Sequence, residues 1–172
     1  MAAFHTPWLF TDERLGNRLF EAISNVPDGG GVMFRHDSEL GRAKLGAMVA
    51  DVARRRGLAL GVAGDVALAE RLGADFVHRP STASDLPVSM PVHDEVEAHA
   101  ARTLGAALIF VSPVLPTRSH PGAPALGVEE ATRLARLAGC PAIALGGMHA
   151  AAFDALPSGA FAGWAGIDAF LA

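Results

Sequence analysis

The sequence predicts an α/β fold, a compact (β/α)8 TIM barrel of parallel strands with trimmed helices, with residues 1–172 forming a single domain. Three observations carry this expectation. One unit recurs along the chain, an amphipathic helical stretch that ends near glycine and leads into a short apolar run. It appears in LFEAISNVPDGGGVMF, MVADVARRRGLALGVA, VALAERLGADFVH, AHAARTLGAALIFV and ATRLARLAGCPAIAL. Strands alternating with helices indicate parallel pairing, because each crossover helix returns the chain to the same sheet edge. Eight such strands can be counted, the number that closes a barrel, although the chain is shorter than the usual lower bound of about 200 residues. An open doubly wound sheet is the alternative arrangement of the same units.

In chain order the strands are WLFT (8–11), GVMF (31–34), ALGVA (59–63), ADFVH (74–78), PVSM (87–90), ALIFV (107–111), AIAL (142–145) and AFAGWA (160–165). Each is a run of apolar residues bounded by turn punctuation. Helices fall near 13–24, 39–56, 65–72, 94–104, 128–138 and 149–155, where apolar residues recur at i, i+3 and i+4. RPSTASDL, after the fourth strand, holds at most one turn, and almost nothing follows the eighth.

Composition narrows the function classes. About half the residues are apolar and a fifth charged, which is globular composition. The net charge of −4 is scattered, so no nucleic-acid surface is implied. The one basic cluster, Arg54-Arg55-Arg56, sits before Gly57 at a helix C-terminus, where cations are favoured. Arginine outnumbers lysine 13 to 1, which reads as genomic composition bias. The single cysteine, Cys140, excludes an internal disulfide and reads as a small buried residue at a strand entrance. No apolar run approaches the roughly 18 residues that span a membrane, and no leader pattern opens the chain. The expectation is a soluble, cytoplasmic protein, and such trimmed helices are compatible with a homodimer.

In a barrel of this kind the active site lies at the C-terminal ends of the strands. The residues there are Thr11-Asp12, Arg35-His36-Asp37, Gly64-Asp65, His78-Arg79, Pro91-Val92-His93, Ser112 to His120, Gly146-Gly147-Met148-His149 and Gly166-Ile167-Asp168. Gly146-Gly147, with Gly163 and Gly166 near strand eight, would let backbone amides approach a phosphate closely, although tight turns also use glycine. VSPVLPTRSHPGAPALG (111–127) offers the Thr117 and Ser119 hydroxyls, the Arg118 fork and His120 as donors on a proline-braced loop. The same hydroxyls could cap the loop's own turns. Arg35, ending an apolar strand, reads as an anion anchor, and His36 and Asp37 could pair with each other or with it. His78 and His93 read as structural or supporting residues rather than catalytic ones, and no local histidine spacing supports zinc.

WLFTD, Arg35 at its strand end, GADFVH, VSPVLPTRSH with Gly127 downstream, PAIALGGM and AGWAGID resemble, in this order, the landmarks of the thiamine phosphate synthases. The thiazole tautomerases share that barrel. The resemblance covers about residues 7 to 170. It implies transfer of a pyrimidine from its pyrophosphate to thiazole phosphate, with magnesium as cofactor and phosphorylated small molecules as partners. It implies catalytic roles for Arg35 and His120, pyrophosphate contacts by Thr117, Ser119 and His120, and a thiazole-phosphate cradle at Gly146, Gly147 and the Gly166 region. Several family positions differ. Gln and Lys of the strand-two motif are Met33 and Asp37, and Asn-Asp after strand three is Ala63-Gly64, leaving Asp65 as the nearest metal ligand. FVHRPSTAS lacks the second carboxylate unless Asp85 substitutes, and the loop lysine is His120. The monophosphate half is intact, so the alternatives to the synthase are a catalytically impaired binder of a phosphorylated thiazole and a tautomerase. Pro113 stands where a tautomerase keeps its histidine, leaving His120 or His93 for that role.

Overall fold

WLF, GVMF and LIFV are apolar throughout and buried throughout, the pattern of strands covered on both faces. A computed structural model describes residues 7–37, 40–117 and 124–171. Its eight strands form a closed barrel in chain order. They are β1 (Trp8–Phe10), β2 (Gly31–Phe34), β3 (Ala59–Ala63), β4 (Phe76–His78), β5 (Val88–Val92), β6 (Leu108–Val111), β7 (Ala142–Leu145) and β8 (Gly163–Gly166). The helices are α1 (Leu19–Ser24), α2 (Arg42–Arg55), α3 (Val66–Leu72), α4 (Glu95–Leu104), α5 (Gly127–Ala138) and α6 (Ala150–Asp154). Short 3-10 segments lie at Glu13–Arg18 and Asp168–Phe170. Gly73, Gly105 and Gly139 end α3, α4 and α5 in the left-handed conformation, which is the physical content of the repeated glycine punctuation.

The chain forms two compact units, Pro7–Val88 with the stretch from Ile167, and Ser89–Gly166. In the first, the parallel register sets Trp8 opposite Gly31 and Gly61 opposite Phe76. Trp8 meets Phe76 edge-on at 5.3 Å between ring centroids. A Cβ on Gly31 would lie 2.3 Å from the Trp8 ring, and one on Gly61 2.6 Å from Phe76. The bulky residues of β1 and β4 thus fill space that the glycines of β2 and β3 leave open. Gly46, Val49, Ala50 and Ala53 form the buried stripe of α2. Arg56, beyond its end, reaches back to donate to the carbonyls of Ile23, Ser24 and Val26 at 2.6, 2.9 and 2.7 Å, satisfying the open C-terminus of α1.

In the second unit the core gathers Val92, Ile109, Val111, Val114, Ala144, Met148 and Phe161 around the alanine-rich faces of α4 and α5. Small side chains at Ala98, Ala101, Ala131, Ala135 and Ala138 let these helices pack closely. Above them Arg133 spans the surface, donating to Glu130 and Glu95, each at 2.8 Å.

Strand boundaries depart most from expectation at β4, β5 and β8. β4 begins at Phe76 because Asp75 spends its carboxylate on the Leu60 N–H at 2.8 Å, a side-chain substitute for a ladder bond. β5 runs on through Pro91 to Val92, with Pro91 in register with Phe110 of β6. β8 starts only at Gly163, because Ala160 turns back onto the Pro157 carbonyl at 3.1 Å. Residues 79–87 contain no helix, as expected.

Candidate functional site

The strand ends of the first unit carry a network of fixed charges. Thr11, just past β1, is fully buried, and its Oγ1 accepts the Arg35 N–H at 2.9 Å. The same hydroxyl lies 2.9 Å from Nδ1 of His36, whose ring stacks on Phe34 at 5.4 Å. Asp12 caps the 3-10 segment by accepting from the Arg14 N–H at 2.9 Å, and binds Nε of Arg14 at 2.8 Å. Its second oxygen takes Nη2 of Arg35, also at 2.8 Å. Burial raises the Asp12 pKa, but the hydrogen bonds from Arg14 and the charges of Arg14 and Arg35 outweigh it and hold the carboxyl below its ordinary value of 3.8. Asp168 adds a further negative charge near Arg14. The Arg35 side chain remains about one-third exposed, so one edge is fixed by Asp12 while part of the fork faces outward.

Arg35, His36 and Asp37, which could pair with one another, take separate partners. These neighbours diverge: Arg35 goes to Asp12, His36 to Thr11 and Asp37 to Arg42 at 3.3 Å. Arg42, the first residue of α2, also donates to the Ala63 carbonyl at 2.6 Å and lies 3.6 Å from Asp65. Asp65 is the N-cap of α3, accepting the Leu68 N–H at 2.8 Å. Ser81 folds back over the end of β3, its N–H and hydroxyl both donating to the Gly64 carbonyl at 3.0 Å. His78 is buried edge-on against Phe10 at 6.0 Å.

In the second unit, the Gly146-Gly147 turn is occupied by the proline loop. Val114 donates to the Leu145 carbonyl at 2.9 Å and Leu115 to that of Gly146 at 3.1 Å. A Cβ on Gly146 would lie 2.8 Å from the Pro113 Cα, and one on Gly147 2.6 Å from the Pro116 carbonyl oxygen. Both glycines have positive φ, 94° and 66°. Close approach therefore does require glycine here, and the backbone that approaches is the chain's own. At its far end the loop is tied by Leu126 to the Pro113 carbonyl and by Gly127 to that of Val114. Thr117 ends the described part of the loop, while Arg118, Ser119 and His120 lie outside the described residues. Gly166 is buried at the end of β8. His93 lies outside β5, held by Glu97 at 2.7 Å through both Nδ1 and its backbone N–H, an arrangement that helps to close the start of α4. Cys140 is half-buried, and burial pushes its thiol pKa up, the opposite of an activated nucleophile.

Asp65 does not fit a magnesium ligand. One of its oxygens caps α3 and the other faces a guanidinium. Among the described residues, no three His, Cys, Asp or Glu side chains converge as a metal would need. Asp12 and Arg42 carry roles that sequence reasoning did not assign. A signal for Arg42 existed, since a cation opening a helix opposes the helix dipole and must answer to another partner.

Fold and strand ends together define a (β/α)8 barrel protein with an outward-facing arginine fixed at the end of β2. The family model for thiamine monophosphate synthase matches residues 8–170. Over 149 residues the chain is 31% identical to the thiamine-phosphate synthase of Chromobacterium violaceum, covering 77% of this chain and 72% of that one. The chain belongs to the thiamine monophosphate synthase family. In fold it is similar to the thiamine phosphate pyrophosphorylase of Pyrococcus furiosus, with a TM-score of 0.81 at 20% identity over 97% of this chain and 87% of that one. The thiamine phosphate pyrophosphorylase of Bacteroides thetaiotaomicron is similar with a TM-score of 0.60 at 15% identity, over 95% and 83%. Among the described residues, no helix is long and apolar enough to cross a membrane.

Proposed function

We propose that this chain carries out the synthase reaction of its family, joining a pyrimidine pyrophosphate to thiazole phosphate. The C–O bond between the pyrimidine methylene and pyrophosphate breaks, and its electron pair leaves on pyrophosphate. The thiazole nitrogen lone pair then forms the new C–N bond. What a protein supplies to such a step is fixed positive charge where the leaving group gains negative charge. The observation that carries the reading is Arg35, whose backbone is held by Thr11 and whose guanidinium is held by Asp12, on a chain that matches the family along nearly its whole length.

In this reading Arg35 takes the departing pyrophosphate on its free edge, and Asp12 keeps the fork aimed. Thr117, Arg118, Ser119 and His120 contribute the donors that the resemblance assigns to phosphate binding. His120, where the family keeps a lysine, offers its imidazole to that anion. Gly166 and the backbone amides of Gly146 and Gly147, whose Cα side packs against the 113–116 segment, serve the thiazole phosphate. When bound, magnesium would add charge to the leaving group, but no residue described above is assigned to hold it. Phosphorylated small molecules are the partners, and location in the cytoplasm and assembly as a homodimer belong to the same reading.

The test is turnover of the two substrates with magnesium present, following formation of thiamine phosphate. The native chain should form product, and Arg35→Met should lower kcat/KM by about a hundredfold or more, as losing one charge-stabilising donor does. Binding of thiazole phosphate without product under any condition would replace the synthase by the binder reading.

A further inference from the structure

We propose that Arg42 is a built-in cation: its guanidinium fills the oxygen cluster of Asp37, Asp65 and the Ala63 carbonyl, closing it to divalent metals and leaving pyrophosphate binding independent of magnesium at that point. The statement about pyrophosphate rests on the functional reading above; the statement about metals does not.

Three oxygen sources meet at the end of β3. Asp37 follows β2, Asp65 follows β3, and the Ala63 carbonyl ends β3 itself. Two carboxylates and a carbonyl are the kind of oxygen set that hard divalent cations use. Arg42 stands among them, with Nη2 at 2.6 Å from the carbonyl and 3.3 Å from Asp37, and Nη1 at 3.6 Å from Asp65. Its side chain is only 18% exposed, and the guanidinium carbon lies 5.7 Å from the centre of the Phe34 ring. The aromatic face holds the cation from one side while the oxygens hold it from the others.

This placement is costly for the helix that bears it. Arg42 is the first residue of α2, whose first turn contains no acid, so the helix dipole repels the charge it presents. Its stability at this position must come from the oxygens it meets. A metal entering the cluster would have to displace a guanidinium hydrogen-bonded to the Ala63 carbonyl and ion-paired with both carboxylates, and would find one Asp65 oxygen committed to the Leu68 N–H. Mg2+ needs near-octahedral oxygen coordination and gives up water reluctantly, so two partly committed carboxylates do not attract it.

The deciding measurement is Mn2+ binding, read as loss of the free-ion electron paramagnetic resonance signal. The native chain should leave Mn2+ free. Arg42→Met, which keeps an unbranched apolar stem near Phe34, should bind Mn2+ at least about tenfold more tightly, the least expected from removing a positive charge a few ångströms away. Adding Asp65→Asn, which preserves the helix cap, should abolish that gain. Uptake of Mn2+ by the native chain that Asp65→Asn removes would overturn the proposal, as would an Arg42→Met chain that folds and binds none. Should Arg42→Met fail to fold, the native chain and Asp65→Asn alone still decide.

Calorimetry with inorganic pyrophosphate adds the second arm. The affinity in chelator should equal that in magnesium within about twofold, since no metal bridge is lost. Binding seen only with magnesium, and lost in Asp65→Asn, would refute it. A native chain that binds no pyrophosphate under either condition sinks the functional reading and the pyrophosphate statement together, while Mn2+ binding still decides the role of Arg42.

Discussion

Asp12 holds Arg35 through a 2.8 Å bond from Nη2 to its Oδ2, while the neighbouring Thr11 accepts the Arg35 backbone N–H at 2.9 Å. Two consecutive residues after β1 therefore fix both ends of one arginine after β2. Position and direction are set separately, which makes the two contributions separable by mutation.

Replacing Asp12 by Ala should destabilise the fold by about 2–3 kcal/mol in urea titration, since it strands hydrogen bonds from two arginines. Asp12 also predicts a pH dependence. Its folded pKa lies below the ordinary 3.8, so the unfolded chain binds more protons in that range. The stabilisation is fully present above the unfolded value and is lost as pH falls through the folded one. Asp12→Asn should remove that portion of the acid transition, and an unchanged acid limb would contradict the assignment.

Thr11→Val keeps the shape of the side chain but leaves the Arg35 N–H without its acceptor, at a cost of about 1–3 kcal/mol. Thr11→Ser keeps the hydroxyl and should recover most of the loss. Equal stabilities for the two variants would mean that the hydroxyl contributes nothing. In the synthase assay, Thr11→Val should lower kcat more than it raises KM if Arg35 acts on the departing charge.

Gly147→Ala introduces a Cβ 2.6 Å from the Pro116 carbonyl oxygen at φ 66°, so strain and overlap act together. The expected loss is about 1–3 kcal/mol from backbone strain, with overpacking of similar size. Proteolysis should show the 113–117 segment cut faster than in the native chain. A variant as stable and as protease-resistant as the native one would show that the loop is not seated on this turn.

Gly31→Ala probes the other glycine use, where a side chain would meet the Trp8 ring at 2.3 Å. Overpacking here should cost about 1–3 kcal/mol and alter the tryptophan fluorescence, because Trp8 must move. Loss of stability with an unshifted spectrum would place the strain elsewhere.

The strands GVMF, ALGVA and AIAL were legible to the residue, because burial on both faces leaves an uninterrupted apolar run. Boundaries blurred where side chains replace backbone, as at Asp75, or where proline enters a strand, as at Pro91 in β5. At the strand ends the residue types were readable and their partners were not. Arg35, His36 and Asp37 are adjacent in sequence, yet each leaves the backbone in a different direction and meets a group 23, 25 or a few residues away. Gly146 and Gly147 were read for their permissive backbone, but only the fold shows that the loop after β6 uses it.

That seating ties together two stretches of chain more than 30 residues apart in sequence. Any lineage that placed a side chain at position 146 or 147 would first need a different path for the segment that begins at Pro113. The four positions 113, 116, 146 and 147 should therefore drift as a block, and a loop transplanted from a relative should be accepted only when its matching turn travels with it. For anyone redesigning the donors that follow Pro116, the unit of exchange is the loop and turn together.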